Sequence, residues 1–324
     1  MSRLRRGQVD VAELVAAARA GQPRAVAKLI SLVENDSEQL AEVARELLPH
    51  TGHAQIVGVT GSPGVGKSTS TAALIASLRA EDRRVGVLAI DPSSPYSGGA
   101  LLGDRIRMAA HSTDDGVFIR SMATRGHLGG LAAAAPQALR VLDAAGCDVI
   151  LVETVGVGQA ELEIATLADT TLVLLAPGMG DGVQAAKAGI LEIADVLVVN
   201  KADRDGADQV ARDLRAMQAM VAPGDSAAWQ APIVKIVAAR GEGIDGVRDA
   251  IEEHRRWLEG SGELGRRRYA RLAAEVEAIA LAQVRRRLGE VRGSAAFTCA
   301  ITRVASGDSD PYTAARDVLA RLTN

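Results

Sequence analysis

The first fifty residues carry apolar side chains at helical spacing. Two groups of them occur in this stretch, namely Val11, Leu14, Val15 and Ala18, and then Val26, Leu29, Ile30 and Val33. The tripeptide Gly21-Gln22-Pro23 separates the groups, and Pro49 to Gly52 ends the region, because glycine and proline interrupt helices. No chemical motif accompanies this pattern. We therefore predict a helical extension over residues 1–50 that packs on the main domain.

Short apolar runs alternate with amphipathic stretches from Ala54 onward. The runs are Gln55–Val59, Val85–Ile90, Val149–Val152, Thr171–Leu175, Val196–Val199 and Ile233–Val237. Because they are apolar almost without interruption, they are typical of strands covered on both faces. The alternation predicts an α/β domain over residues 51–259, with a mostly parallel sheet between two layers of helices. Ligands of such sheets bind at the carboxyl ends of the strands, so we expect the chemistry there.

One long helix is predicted beyond Gly260-Ser261-Gly262, which we interpret as a linker. Its apolar positions form a single face and are Leu272, Val276, Ile279, Ala280, Val284 and Leu288. Clustered arginines lie mostly outside this face and favour a solvated surface or salt bridges over a nucleic-acid site. A second copy of the chain would bury the apolar face. Residues 260–324 are thus predicted to be a helical dimerisation region, which ends in a helix from about Tyr312 to Leu322.

Composition limits the kinds of partner that the protein is expected to bind and the compartment in which we expect it. The net charge of −3 provides no general attraction for nucleic acid or for an anionic membrane. Cys147 and Cys299 are too far apart in sequence to form a metal-type pair, and two thiols suit a reducing cytosol. No apolar run reaches transmembrane length, and the basic N-terminus has no apolar segment behind it. We expect a cytoplasmic protein that binds neither nucleic acid nor membrane.

The strongest motif is the phosphate-loop sequence Gly61-Ser62-Pro63-Gly64-Val65-Gly66-Lys67-Ser68-Thr69. It follows the first apolar run and precedes a predicted helix, Thr71 to Leu78, in the order that phosphate-binding loops require. Its glycines let several backbone N–H groups converge on a phosphate, and the helix N-terminus adds its positive end. Lys67 can reach the β- and γ-phosphates, and the Ser68 hydroxyl can bind Mg²⁺. A glycine-rich turn without a ligand would not need the Lys-Ser pair, so the sequence predicts a nucleoside-triphosphate site.

Two polar segments follow the second apolar run. Asp91 begins Asp91-Pro92-Ser93-Ser94-Pro95, where its carboxylate would face the phosphates and hold a Mg²⁺-bound water, although an ordinary turn explains the segment equally well. Asp104 and Arg107 lie in Gly103-Asp104-Arg105-Ile106-Arg107-Met108. A switch loop needs a carboxylate for the metal or the attacking water and an arginine for the γ-phosphate charge. A surface loop with internal salt bridges is the alternative.

Glu153 follows the strand predicted at Val149–Val152 and begins Glu153-Thr154-Val155-Gly156-Val157-Gly158-Gln159. This matches the carboxylate-x-x-Gly arrangement of GTPases, in which the acid supports Mg²⁺ and the glycine N–H contacts the γ-phosphate. Val157 occupies the position that holds the water-orienting Gln in Ras-like enzymes. Gln159, a group in the Asp104 loop or a partner protein would then orient the water. The competing interpretation, a strand-end carboxylate that caps a helix, is disfavoured by the two glycines.

Base recognition is predicted after the last two apolar runs. Asp203 ends the segment Asn200-Lys201-Ala202-Asp203, and its carboxylate can accept two hydrogen bonds from guanine, whereas adenine lacks that donor pair. Asn200 would tie this segment to the phosphate loop, and the Lys201 stem would lie over the base. Ala238-Ala239-Arg240 is placed like the loop whose backbone N–H meets guanine O6.

Together these motifs resemble those of the MeaB/ArgK GTPases. The resemblance rests on the phosphate loop, Asp91–Pro95, Gly103–Met108, Glu153–Gln159 and Asn200–Asp203, and it covers nearly the whole chain. It implies a homodimeric cytoplasmic G protein that accompanies adenosylcobalamin-dependent methylmalonyl-CoA mutase. Such a protein is a chaperone that protects the mutase and gates its cofactor loading while it hydrolyses GTP to GDP and phosphate. An older name for the family is lysine/arginine/ornithine transport ATPase or kinase.

The resemblance also implies roles for residues of this chain. It places Asp91, Asp104 and Glu153 around Mg²⁺ and the hydrolytic water, and it makes the Asp104 loop and the glycine-rich segment Pro177–Lys187 switches. From local sequence alone, Pro177–Lys187 is equally well a plain strand–helix connection. The fold that the family resemblance implies is a P-loop NTPase G domain with N-terminal and C-terminal helical extensions.

Three other functions fit parts of the sequence. A metallochaperone-type GTPase usually has a Cys-x-Cys-Cys motif or a His-rich tract, and neither occurs among two cysteines and five histidines. A P-loop kinase or a transport-associated ATPase conflicts with Asn200–Asp203, because kinases seldom read guanine. A scaffold that binds nucleotide without turnover would be distinguished by GTP hydrolysis measured with and without the mutase.

Overall fold

A computed structural model describes residues 9–35, 37–91, 111, 113–123, 131–154, 160–178, 191–220, 228–292 and 295–320. In these residues seven strands form one sheet. They are β1 (Gln55–Thr60), β2 (Val85–Asp91), β3 (Val117–Ala123), β4 (Val149–Thr154), β5 (Thr170–Leu175), β6 (Val196–Val199) and β7 (Ile233–Lys235). Their order is β3-β2-β4-β1-β5-β6-β7, and every neighbouring pair is parallel. The predicted α/β fold with a parallel sheet is confirmed.

Helices precede, flank and follow this sheet. They are α1 (Val11–Arg19), α2 (Pro23–Glu34), α3 (Leu40–Leu47), α4 (Lys67–Arg79), α5 (Leu131–Ala144), α6 (Ala160–Leu167), α7 (Leu191–Ile193), α8 (Ala207–Met220), α9 (Ile244–Ser261), α10 (Glu263–Arg292), α11 (Ala295–Ala305) and α12 (Pro311–Ala320). Two single 3₁₀ turns, Leu48–His50 and Ala238–Arg240, lie between them.

The strands alternate side chains between two cores, as the two-residue period of a strand requires. Leu88 and Ile90 of β2 contribute to the core that contains α1–α3, α5 and α6. Val85 and Val87 of the same strand contribute to the opposite core, with α4 and α9. A third cluster joins β5 and β6 to α8. Both faces of the sheet are therefore covered, which explains the apolar runs in the sequence.

The N-terminal helices begin at residues suited to helix starts. Asp10 caps α1 by accepting a hydrogen bond from the backbone N–H of Glu13 at 3.0 Å. Pro23 occupies the first position of α2, where a missing N–H costs no hydrogen bond. Leu29 and Ile30 of α2 are fully buried in the core shared with α5. Truncation of a leucine buried in this way typically costs about 2–5 kcal/mol, so this extension is part of the folded core.

Strand β3 is absent from the sequence prediction. Arg120 and Ser121 interrupt its apolar run, and such interruptions are tolerated because β3 lies at the edge of the sheet. The Arg120 guanidinium donates to Glu34 Oε2 of α2 at 2.5 Å, so the polar position serves the contact with the N-terminal helices. At the opposite edge, β7 ends at Lys235, two residues earlier than predicted.

The predicted linker Gly260-Ser261-Gly262 is wrong. Helix α9 continues through Ser261, and only Gly262, in the left-handed region with φ +73°, separates it from α10. A left-handed glycine is the usual end of a helix, so the glycines mark a helix boundary. The chain divides into two compact units at another position, Met1–Arg271 and Leu272–Asn324. Among the described residues, no helix is long and apolar enough to cross a membrane.

Candidate functional site

The phosphate loop leaves β1 at Gly61 and enters α4 at Lys67. Strands β4 and β5 lie on either side of β1, and Glu153 of β4 is in register with Val59 of β1. The carboxyl ends of these three strands therefore meet at one edge of the sheet. This is the edge at which parallel sheets bind ligands.

Two glycines of the loop allow close approach of neighbouring chain segments. A Cβ atom at Gly61 would lie 2.3 Å from the backbone oxygen of Leu174 in β5. A Cβ atom at Gly66 would lie 2.4 Å from Nδ2 of Asn200. Both residues also have positive φ angles, of 139° and 96°. Any larger residue would displace the loop from β5 or from Asn200.

Lys67 is buried at the first position of α4. Its ammonium group donates to the backbone oxygen of Gly61 at 2.6 Å and to that of Ser62 at 3.2 Å. The loop thus holds a cation next to a helix N-terminus, where the backbone dipoles also favour negative charge. An anion at this position would be stabilised by both.

The Ser68 hydroxyl donates to Glu153 Oε1 at 2.6 Å, and both side chains are buried. A hydroxyl and a carboxylate oxygen are ligands that Mg²⁺ accepts, so the pair fits the predicted metal site. In the part of the chain that the structure describes, no group of three or more His, Cys, Asp or Glu side chains could hold a metal ion. Mg²⁺ commonly takes further ligands from phosphate and water. Asp91 and Asp104, whose side chains lie outside the described residues, stay predicted contributors to this site.

Asn200 links three segments of the site and is 3% exposed. Its Nδ2 donates to the backbone oxygen of Val65 in the phosphate loop at 2.8 Å. Its Oδ1 accepts hydrogen bonds from the backbone N–H groups of Lys201, at 2.8 Å, and Ala238, at 3.1 Å. A buried amide with both ends bonded fixes the relative positions of the segments that it joins.

Lys201 adopts a left-handed backbone conformation, with φ +57°. A residue other than glycine in this region costs of order 1–3 kcal/mol, and such strain concentrates at functional sites. The side chain compensates in part, because Lys201 Nζ donates to the backbone oxygen of Gly64 at 2.7 Å. Asp203, whose side chain is 35% exposed, accepts a 3.3 Å hydrogen bond from Arg240 Nη2. The Asn200–Asp203 segment is thereby joined to both the phosphate loop and the Ala238–Arg240 turn.

The model of one protein family matches residues 26–292 of this chain. That family is described as methylmalonyl Co-A mutase-associated GTPase MeaB. The chain belongs to the MeaB family. It is a P-loop GTPase, and both the predicted family and the predicted enzyme class are confirmed.

Several relatives of this MeaB-family chain support the family assignment. A Pyrococcus abyssi protein with a GTPase name is 50% identical, over 96% of each chain. GTPase ArgK of Escherichia coli is 36% identical, over 79% of this chain and 80% of ArgK. The mouse protein named methylmalonic aciduria type A homolog, mitochondrial, is 36% identical, over 76% of this chain and 64% of its own length. The crystal structure of an LAO/AO transport system kinase superposes with a TM-score of 0.67 at 26% identity, over 98% of this chain and 100% of that one.

The MeaB-family fold brings most of the predicted site residues to one edge. Glu153 is the next-to-last residue of β4, and the segments after the carboxyl ends of β1, β6 and β7 are Gly61–Thr69, Asn200–Asp203 and Ala238–Arg240. The backbone of Asp91 ends β2 at the same edge, but its side chain lies outside the described residues. Asp104, Arg107 and Gln159, and most of the segment Pro177–Lys187, also lie outside them. Their predicted roles stay predictions.

Sequence reasoning missed one contributor to the MeaB-family site, the backbone oxygen of Leu174, which lies close to Gly61. Any residue type can supply a backbone oxygen, so this position carries no side-chain signal. The predicted link from Asn200 to the phosphate loop is present, and its acceptor is the backbone oxygen of Val65.

Proposed function

We propose that this GTPase acts as a chaperone that protects adenosylcobalamin-dependent methylmalonyl-CoA mutase and gates its cofactor loading. The observation that carries the proposal is the family match over residues 26–292, since the family is described as associated with that mutase. The match reaches beyond the sheet on both sides, from α2 to the end of α10. The mouse relative, named for methylmalonic aciduria, adds support.

GTP and GDP are the proposed ligands, with the base held by the Asn200–Asp203 segment. The Asp203 carboxylate accepts from guanine N1–H and from the exocyclic amine. The backbone N–H of Ala238 is already bonded to Asn200. The backbone N–H of Arg240 likewise donates to the backbone oxygen of Val237 at 2.9 Å, so the contact to guanine O6 is assigned to Ala239.

The phosphates are proposed to lie in the loop Gly61–Thr69. Lys67 leaves the carbonyl groups of its own loop and pairs with the β- and γ-phosphates. Ser68 and Glu153 would hold Mg²⁺, together with Asp91 and Asp104, and the bound ion offsets the negative charge of the phosphates. Glu153, already within hydrogen-bonding distance of Ser68, would keep the hydroxyl at the metal position.

Hydrolysis is proposed to be slow in the isolated protein and faster with the mutase. Val157 is apolar at the position where Ras-like enzymes carry their water-orienting glutamine. Even with that glutamine, unassisted Ras turns over at only about 3–5 × 10⁻⁴ s⁻¹, and partners raise the rate by up to roughly 10⁵-fold. Gln159 or the Asp104 and Arg107 segment would act once the partner is bound, and by linkage GTP would change the affinity for the mutase.

The test is steady-state GTP hydrolysis titrated with purified methylmalonyl-CoA mutase of the same organism. We expect a saturable rise in rate and cofactor loading that depends on the nucleotide. Ser68→Ala should abolish the rise because it removes a proposed metal ligand. Ser70→Ala is the matched control, since Ser70 lies in the same helix and its buried hydroxyl has no hydrogen-bond partner in the described structure. A flat titration, with loading indifferent to nucleotide, would reject the mutase role while leaving the GTPase assignment intact.

A homodimer formed through the C-terminal unit is also proposed. Five apolar side chains of α10 are at least one-third exposed in this unit, namely Leu272, Val276, Ile279, Leu281 and Val284. Exposed apolar patches of this kind mark interaction surfaces. A second copy would cover them symmetrically.

A further inference from the structure

A concave pocket opens at the amino-terminal edge of the sheet, opposite the edge that carries the phosphate loop. Its volume is about 320 Å³. Its walls come from segments that are distant in sequence, including the end of α1, the turn before β1, the residues before β2 and β4, and α9. The volume is within the range of pockets that bind small molecules, about 300–1,000 Å³.

Five basic side chains line this pocket. They are Arg19, His50, His53, Arg83 and Arg255. They belong to four different segments of the chain, so the fold, and no single sequence motif, gathers them. Converging basic groups around a concave space are the arrangement by which proteins bind oxyanions.

The acidic residues of the pocket are engaged with the backbone. Asp143 accepts hydrogen bonds from the N–H groups of Gly52 at 2.5 Å and Ala54 at 3.0 Å. Asp148 Oδ2 accepts from the N–H of Arg84 at 2.7 Å. These carboxylates hold the turn before β1 and the start of β2, so each has a structural role independent of the pocket. Burial raises the pKa of the Cys147 thiol to about 12, so this lining residue adds no negative charge at neutral pH.

The arginines retain donors that the chain does not use. Arg83 pairs with Glu252 through Nη2 at 3.0 Å, and Arg255 pairs with Glu259 through Nε at 3.0 Å. A guanidinium group has several further N–H donors in a planar fork. Arg19 forms no ion pair with any carboxylate in the described part of the chain. The open donors are therefore those that a phosphate group could fill.

We propose that this pocket is a second ligand site, distinct from the nucleotide site, for a small molecule that carries a phosphate group. Arg19 of α1 and Arg255 of α9 bind the phosphate oxygens, and Arg83 adds a third cation. Guanidinium groups match phosphate geometry through paired N–H donors, which favours phosphate over a single carboxylate. The pocket volume of about 320 Å³ is that of a small-molecule site, so the proposed ligand is a small molecule.

The test is calorimetric titration of the full chain with pyrophosphate at constant ionic strength, after the phosphate loop has been saturated with GDP and Mg²⁺. We expect one further site per chain. Arg255→Gln and Arg19→Gln should each weaken it about tenfold or more, because each removes a charge-assisted hydrogen bond to the phosphate. Arg256→Gln is the matched control, because Arg256 is the next residue of α9, carries the same charge and is outside the pocket lining.

Three outcomes would overturn the proposal. The first is absence of binding at millimolar pyrophosphate. The second is equal weakening by Arg255→Gln and Arg256→Gln, which would indicate general charge attraction. The third is equally tight binding of succinate, which would show that the pocket does not select phosphate. GTP turnover, which depends on the opposite edge of the sheet, should be unchanged in all three variants and verifies that they are folded.

Discussion

Arg267 donates two hydrogen bonds to Asp195, from Nη1 to Oδ2 at 2.9 Å and from Nη2 to Oδ1 at 3.0 Å. Asp195 immediately precedes β6, and Arg267 lies in the second turn of α10. Arg268 and Arg271 of the same helix contact Asp169, which immediately precedes β5. Burial alone would raise the pKa of Asp169, but Arg271 and Arg268 outweigh it and hold that pKa below its usual value. Three arginines thus attach the start of α10 to the amino ends of two strands.

Arg267→Ala should lower the free energy of unfolding by about 1–3 kcal/mol. Loss of one partner from a buried pair typically costs about 3–5 kcal/mol because the other charge stays buried, and the value is reduced here since Arg267 is 31% exposed. Urea unfolding measures the change. Arg266→Ala is the control, since Arg266 is 72% exposed and its one ion-pair partner among the described residues is Glu263 of its own helix. Equal losses in the two variants would refute a specific role for the Arg267–Asp195 pair.

His254 of α9 lies beside this anchor and is fully buried. Its Nδ1 is 2.9 Å from the Thr170 hydroxyl, and its ring stacks on that of Trp257 and lies near that of Trp229. Nε2 is 3.3 Å from Asp195 Oδ1 but is not aligned for a hydrogen bond, so the contact is only electrostatic. Burial disfavours the imidazolium more than Asp195 favours it, which lowers the pKa of His254 to about 4.

Stability should fall as pH is lowered from about 6.5 towards 4. Between these values the unfolded chain holds a proton on His254 that the folded chain lacks, so acid favours unfolding. Because the pKa of His254 is about 4 in the folded state, the free energy of unfolding should fall by up to about 3 kcal/mol. The chain's two tryptophans flank His254, so their fluorescence reports both unfolding and this cluster. His254→Gln should reduce the pH dependence of the free energy of unfolding between pH 6.5 and 4. An unchanged slope would contradict the role of His254 in this dependence.

Asp203→Asn should weaken GTP binding about tenfold or more and improve binding of xanthosine triphosphate, whose 2-oxo group requires a donor. Arg240 is the only ion-pair partner that the described residues provide for Asp203, at 3.3 Å, and the carboxylate is half-exposed to an incoming base. Competition binding of the two nucleotides measures the preference. Asp205→Asn, the same change on an exposed neighbour, should leave it unaltered. An unaltered preference in Asp203→Asn would exclude this residue from base recognition.

Leu272→Glu combined with Val276→Glu should convert the proposed dimer to a monomer, because charge would enter the apolar face of α10. Light scattering of the full chain at fixed concentration measures the mass. Ala274→Glu is the control, since an exposed residue two positions from each of the others points to the opposite side of the helix. A wild-type chain that is already monomeric, or a double variant that stays dimeric, would reject this interface.

Much of the sheet is predictable from local sequence. Most of the strands appear as nearly continuous apolar runs, because helices cover both faces of the sheet. Strand β3 escapes this rule, because an edge strand can carry Arg120 for a contact with α2. The linker prediction was wrong for a different reason. Glycine is common both in linkers and at helix ends, and Gly262 occupies a helix end.

The sequence by itself determined the phosphate loop, because its strand, glycines, Lys67 and helix are contiguous and act through local backbone geometry. It also indicated which strand ends carry chemistry. Only the tertiary structure decided which of these ends become neighbours, since strand order depends on long-range packing. The bonds from Ser68 to Glu153 and from Asn200 to Val65 join residues 85 and 135 positions apart. The contacts of the α10 arginines with Asp169 and Asp195, and the side chains that line the basic pocket, likewise join segments that are distant in sequence, so no local pattern predicts them.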